Sequence, residues 1–172
     1  MRDDGGRANP RAYRSRRAVL ATFSQHGVEF IIVGGVCGVL HGAPISTFNL
    51  DVVHARTPEN VERLLRALEE LQAFVRGPGG SGRTPGRSHL LSAGHQLLLT
   101  RCGPLDLLGA IGRDRDYARL LSRSQVIQVR PDLSVRVLDL DALIEVKEET
   151  ARDKDLAVLA ILKRTLEERS RR

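Results

Sequence analysis

The stretch Ile31–Val53, IIVGGVCGVLHGAPISTFNLDVV, constrains the fold of this chain more than any other segment. A β-branched apolar run of strand length, Val28–Val33, stops at Gly34-Gly35. Val36–His41 then reads as a short buried helix closed by Gly42 and Pro44. Thr47–Val53 alternates with the period of a strand, placing Phe48, Leu50 and Val52 on one side and Thr47, Asn49, Asp51 and Val53 on the other. Glycines let a phosphate approach backbone N–H groups, and the helix after them offers its N-terminus. Asn49 and Asp51 lie two apart on a strand, so they share a face and can grip one hard cation such as Mg2+. The layout suggests phosphoryl or nucleotidyl chemistry, with one departure: an asparagine stands where one of two carboxylates is expected.

A third oxygen ligand must come from elsewhere, and Asp106 in PLDLLGAI is the candidate. A carboxylate in so apolar a strand is costly unless it is paired, at a strand end or bound to a cation. A Mg2+-bound triphosphate against Gly34 and Gly35 would then be open to in-line attack by an acceptor hydroxyl. Simpler uses of the same residues remain. The glycine pair also suits a tight turn, Asn49 a turn cap, and Asp51 an arginine partner. Gly34-Gly35-Val36-Cys37-Gly38 faintly matches a dinucleotide fingerprint, but its glycine spacing is wrong and no repeated strand–helix units follow. There is no Walker A loop, Ser-His-Asp arrangement or zinc-ligand spacing, and His26, His41, His54, His89 and His95 are scattered.

Elsewhere the pattern predicts helices over Ala12–His26, stopped by Gly27, and from Thr57, where Pro58 and Glu59 suit the first turn. Val61, Leu64, Leu65, Leu68 and Leu71 give the second helix an apolar stripe. Arg76–His89 has loop composition and carries Arg76, Arg83 and Arg87. Strands are expected at Gln96–Arg101 and Leu105–Leu108, and a short helix at Asp114–Ser122. A hairpin joins Val126–Val129 to Ser134–Leu138 through Pro131-Asp132, and two helices follow, Leu140–Thr150 and Lys154–Arg169. In the last helix Leu156, Leu159, Ala160, Leu162 and Leu166 are expected to face the core.

Aromatics are only 3% of the chain, so its core must be built from Leu, Val, Ile and Ala. Residues 1–10 read as a disordered basic arm, and residues 11–172 as one domain. Six arginines against two aspartates in the first seventeen residues account for much of the net charge of +6. Such a balance suits an electrostatic footprint for nucleic acid, though aromatic interleaving is missing. No apolar run approaches the ~20 residues of a membrane span, and cytoplasm is the expected location. Cys37 and Cys102 form no C-x-x-C pair and read as buried thiols.

The run GGVCGVLHGAPISTFNLDVV resembles the minimal nucleotidyltransferase fold, specifically the AbiEii/AbiGii-type nucleotidyltransferase-like proteins. The resemblance continues in GPLDLLGAI, where that family carries its third acid, and in LDLDALIEVKEETARDKDLAVL, covering roughly residues 28–165. It implies an α+β fold with a small mixed sheet flanked by helices, an NTP donor, and Mg2+ (or Mn2+). By position it implies that Asp51, Asp106 and Asn49 bind the metal. Gly34, Gly35, Ser46, Thr47 and Lys147 would contact the nucleotide. Asp51, Asp106, Asn49 and Lys147 would be the catalytic set. Arg152, Lys154 and Asp155 match the later motif, although an Arg–Asp brace between helices explains them equally well. Two departures stand out. Asn49 replaces the first motif aspartate, and Ile45 stands where relatives often have arginine.

Three readings follow. The first is a nucleotidyltransferase acting on a hydroxyl of tRNA, another RNA or a protein. The second is a non-catalytic nucleotide- or partner-binding protein of a toxin–antitoxin type system, which Asn49 motivates. The third is a basic nucleic-acid-binding domain using the N-terminal arm and the Arg76–Arg87 loop.

Overall fold

A computed structural model describes residues 10–78 and 82–172. The expected arm lies outside the described residues but for Pro10, which opens helix α1 (Pro10–Gln25). β1 (Phe30–Val33) is buried along its whole length, as a central strand of β-branched and aromatic residues should be. α2 (Gly34–Leu40) begins at the glycine pair itself rather than after it, two residues earlier than the sequence suggests. β2 (Leu50–His54) starts three residues later than expected. Phe48 consequently never joins the core face and stands 86% exposed.

α3 (Pro58–Glu70) forms as its signals predict. The Thr57 hydroxyl accepts from Asn60 N at 3.3 Å, and Val61, Leu64, Leu68 and Leu71 are buried. Asn60 is fully buried and acts as a piece of backbone. Its amide donates to Glu29 O (3.0 Å) and Ala55 O (2.8 Å) and accepts from Glu29 N (2.7 Å). These bonds tie the start of α3 to the start of β1 and the end of β2, and leave no buried polar atom of the side chain unpaired.

The segment read as a loop holds more structure than its composition suggests. A two-residue edge strand, β3 (Phe74–Val75), comes just before it, and a short helix, α4 (Arg87–Leu91), forms at its end. β4 (His95–Thr100) and β5 (Gly103–Leu108) form a tight antiparallel pair. A small ribbon, β6 (Ala110–Ile111) with β7 (Arg115–Asp116), takes the first turn of the expected Asp114–Ser122 helix and leaves α5 (Tyr117–Leu121). The predicted hairpin appears as β8 (Ser124–Arg130) and β9 (Leu133–Leu138). α6 (Leu140–Thr150), a 3-10 turn at Asp153–Asp155, and α7 (Leu156–Ser170) follow.

Seven strands make one mixed sheet in the order β3-β4-β5-β2-β1-β9-β8. β2 runs antiparallel to β1 and parallel to β5, and β1 runs parallel to β9. The chain therefore has an α+β fold, with a mixed sheet flanked by helices. Phe23 of α1 meets Phe30 of β1 edge to face, with ring centroids 5.3 Å apart. α2 packs on β1, β2 and α6, and α6 on α7. Leu159, Leu162 and Thr165 are the buried face of α7. Leu156 (54% exposed), the first residue of the helix, and Ala160 are exposed, against expectation.

The end of α7 is held by a buried histidine. His41 Nε2 donates to Leu138 O at 2.7 Å, and its Nδ1 accepts from the Arg169 guanidinium. Burial keeps this imidazole below its usual pKa, which suits the neutral form that both bonds require. Cys37 is also buried, with Sγ against Leu138 O (3.2 Å), and burial raises its thiol well above its usual range. Both cysteines are free, Cys37 in the core and Cys102 half-buried in the turn after β4.

Phe23 is fully buried and is one of only four phenylalanines in the chain. Phe23→Ala should therefore lower unfolding free energy by about 3–5 kcal/mol. Urea denaturation followed by circular dichroism measures it, and a loss under about 1 kcal/mol would contradict the packing of α1 described here.

Candidate active site

The register of three strands brings the acids together. Val33 at the end of β1 pairs with Asp51 of β2, and Asp51 pairs with Asp106 of β5. Laterally paired residues on neighbouring strands share a face. Two carboxylates from segments far apart in sequence are thus neighbours on one side of the sheet.

Gly34 closes over them. Its φ of +66° lies in the left-handed region, and an added Cβ would fall 2.2 Å from Asp51 Oδ2. Only glycine allows both the backbone turn and this approach. Gly35 is constrained likewise, since a Cβ there would stand 2.6 Å from Thr47 Oγ1. The sequence suggested a side-chain-free turn beside the acids, and the chain builds one.

Asn49, just before β2, points the same way. Its Nδ2 donates to Asp106 Oδ2 at 3.3 Å. The other oxygen of Asp106 accepts from Arg76 Nη2 at 2.9 Å, in a partly buried ion pair. Asp51 lacks such a direct cation. Burial first, then the charge of Asp106 and a hydrogen bond to it, push its carboxyl up to about 7, against the opposing pull of Lys147 and Arg76. Lys147 on α6 is therefore within electrostatic reach of the pair, as its place in the sequence suggested.

Of the remaining candidates, Thr47 is half-buried against Gly35, and its hydroxyl donates to Asn49 O at 3.3 Å. The Arg16 guanidinium donates to Thr47 O and fixes the entry to β2. Ser46 is exposed in the loop between α2 and β2. Ile45 packs towards α2, its Cδ1 2.9 Å from where a Cβ on Gly38 would lie. Arg152 and Lys154 are exposed. Asp155 accepts from Arg152 N (3.2 Å) and caps the 3-10 turn, so no side-chain brace between helices is formed by this pair.

Arg76 is the residue the sequence did not single out for the site. It follows β3, and its backbone N–H donates to Leu97 O at 2.9 Å, which extends the sheet edge by one residue. Alternation from Phe74, paired with Leu99, puts Arg76 on the face of Leu97 and its partner Asp106. A two-residue strand is too short to be read from periodicity, and the glycines after it give the segment loop character. A cavity of about 370 Å³ lies beyond Arg76, lined also by Arg83, Thr84, His89 and Gln96, and no acid lines it.

The donor set fits one divalent cation. Two carboxylates and the Oδ1 of Asn49 supply hard oxygens, and burial followed by the nearness of Asp106 raises the Asp51 carboxyl. Among the described residues no group of three or more His, Cys, Asp or Glu is placed to hold a metal, so the third oxygen here is that of the Asn49 amide.

No protein-family model matches the chain, and no curated protein matches its sequence. Solved structures do. A Thermotoga maritima protein described as a nucleotidyltransferase candidate superposes with a TM-score of 0.60 at 15% identity, over 90% of this chain and 93% of that one. The antibiotic-resistance factor ANT(2'')-Ia superposes with a TM-score of 0.58 at 15% identity, over 89% of this chain and 83% of that one. At this identity the likeness establishes the fold, which is nucleotidyltransferase-like. Among the described residues no helix is long and apolar enough to cross a membrane.

The elevated Asp51 has a consequence for stability. Its folded pKa of about 7 lies above the unfolded 3.8, so between these values the folded chain binds more protons and loses stability as pH rises. Asp51→Asn removes that term. The melting temperature of the native chain should fall between pH 5 and pH 8 more steeply than that of the variant. Equal slopes in differential scanning fluorimetry would contradict the crowding of the two carboxylates.

Proposed function

We propose that this chain transfers a nucleotidyl group from an NTP, bound with Mg2+ or Mn2+, to a hydroxyl acceptor on RNA, such as tRNA, or on a protein. The observation that carries the reading is the pairing of Asp51 with Asp106 beneath Gly34. Asp51, Asp106 and Asn49 Oδ1 would hold the cation, and Asn49 Nδ2 orients Asp106 from its other side. Gly34 and Gly35 keep the backbone open to the phosphates, with Ser46 and Thr47 as hydroxyl contacts at its edge. Lys147 neutralises phosphate charge.

When bound, the cation would draw charge from the reacting phosphate and the leaving group. In the transfer, the acceptor oxygen bonds to the α-phosphorus and the bond from that phosphorus to the bridging oxygen breaks. Pyrophosphate departs and the hydroxyl proton passes to water. The protein's share is to align the two oxygens and fix the charges around them before reaction.

We further infer kinship with the AbiEii/AbiGii-type proteins, which the segments GPLDLLGAI and LDLDALIEVKEETARDKDLAVL support. The net charge of +6 favours an RNA acceptor, and a cytoplasmic setting suits one. Asn49 favours a second reading, a nucleotide-binding protein without turnover that acts through a toxin–antitoxin partner. Asn49→Asp separates the two: a large gain in transfer marks a weakened enzyme, whereas tight NTP binding with no transfer by either form marks the binding protein.

Incubation with labelled NTPs, Mg2+ and a panel of RNAs and proteins tests the main reading. Label should move to one acceptor class, and Asp51→Ala should reduce transfer by more than ~100-fold, since even outer-shell partners of a metal contribute up to that much. Full activity in that variant would remove Asp51 from the mechanism.

A further inference from the structure

Arg76 has no part in the transfer as set out above, yet it is anchored at the site's edge. Its backbone is fixed to Leu97 O, and its side chain ends on Asp106 at 2.9 Å while remaining 32% exposed. The guanidinium is a planar fork with five donors, and one Nη2 contact to Asp106 Oδ1 leaves most of them for another partner. Such forks match phosphate oxygens two at a time.

The charge balance of the site makes that match useful. With Asn49 in place of a carboxylate, the paired acids are Asp51 and Asp106, and Arg76 and Lys147 both bear on them. The side-chain oxygens brought together there are those of two carboxylates and one amide, and the amide brings no charge. A nucleoside triphosphate carrying a single divalent cation still has net negative charge along its phosphates. A cation drawn to Asp106 also competes with the ion pair that now occupies Oδ1, because one carboxylate oxygen cannot serve both at full strength.

We propose that Arg76 is a phosphate ligand: on loading, its guanidinium leaves Asp106 to the incoming cation and grips the phosphate tail of the same nucleotide. It thereby supplies fixed positive charge along the phosphates. The inference rests on the nucleotidyl-transfer reading of this site and deepens it. Asp106 and Arg76 then act as an exchange pair. The ion pair keeps the arginine extended and aimed before the nucleotide arrives, so less side-chain freedom is lost on binding.

The test is titration calorimetry of the full chain with Mg2+ and either an NTP or its matching NMP. Arg76→Ala should weaken NTP binding about ten- to hundredfold, as for a lost hydrogen bond to a charged group, and NMP binding by less than about threefold. Arg76→Lys should recover part of the loss, keeping the charge without the fork. Equal losses for NTP and NMP, or no loss for either, would overturn the role and leave Arg76 a brace for Asp106. Should the alanine variant fail to fold, the native chain is treated with an arginine-specific dicarbonyl and mapped by mass spectrometry. Mg2+–NTP should then protect Arg76 and NMP should not; equal labelling with and without NTP overturns the proposal. Native protein that binds no NTP at all overturns the nucleotidyl-transfer reading and this inference together. Native NTP binding that is indifferent to Arg76 overturns only this inference.

Discussion

Two like charges held side by side are the constraint around which this molecule is arranged. Asp51 and Asp106 are register partners on parallel strands, so neither can turn away without leaving the sheet face. Water would ordinarily screen such a pair, but burial limits that here, and the cost appears as the elevated Asp51 carboxyl. The surroundings relieve the repulsion only in part, through the Arg76 ion pair, the Asn49 amide and the field of Lys147. Carboxyls perturbed by burial and by a specific charged neighbour cluster at functional sites.

The rest of the fold serves that juxtaposition. β1 and β2 are central strands packed on both faces, which fixes the height of Asp51. Asn60 ties the start of β1 and the end of β2 to α3, and the His41–Arg169 contact ties α7 to the C-terminal end of α2. Gly34 meets Asp51 so closely that no other residue fits. The structural likeness at 15% identity shows that the fold survives extensive sequence change. Function is carried by the residues placed on it.

Much of the arrangement is legible in the sequence. Period-two alternation through Asn49 and Asp51, the glycine pair and the lone acid in PLDLLGAI point to the right faces and the right neighbours. The Thr57-Pro58-Glu59 start of α3 is equally plain, because capping is local chemistry. What escapes is what depends on distant contacts. Phe48 continues the alternation but lies before the point where β2 finds partners, so it stands in solvent. Leu156 looks like core, but it opens α7 where the helix leaves the 3-10 turn and stands exposed. Arg76 sits among glycines and prolines, and only pairing of β3 with β4 aims it at Asp106. The partnership of His41 with Arg169 spans most of the chain and has no local signal.

The proposed function requires Asp51 and Asp106 to hold a cation jointly against the glycine turn. The most direct measurement is anomalous diffraction from crystals of this chain soaked with Mn2+ and a non-hydrolysable NTP. A manganese peak bonded to oxygens of both carboxylates is expected, with the nucleotide phosphates beside Gly34 and Gly35. Manganese bound to other side chains, or phosphates lodged away from that turn, would contradict it.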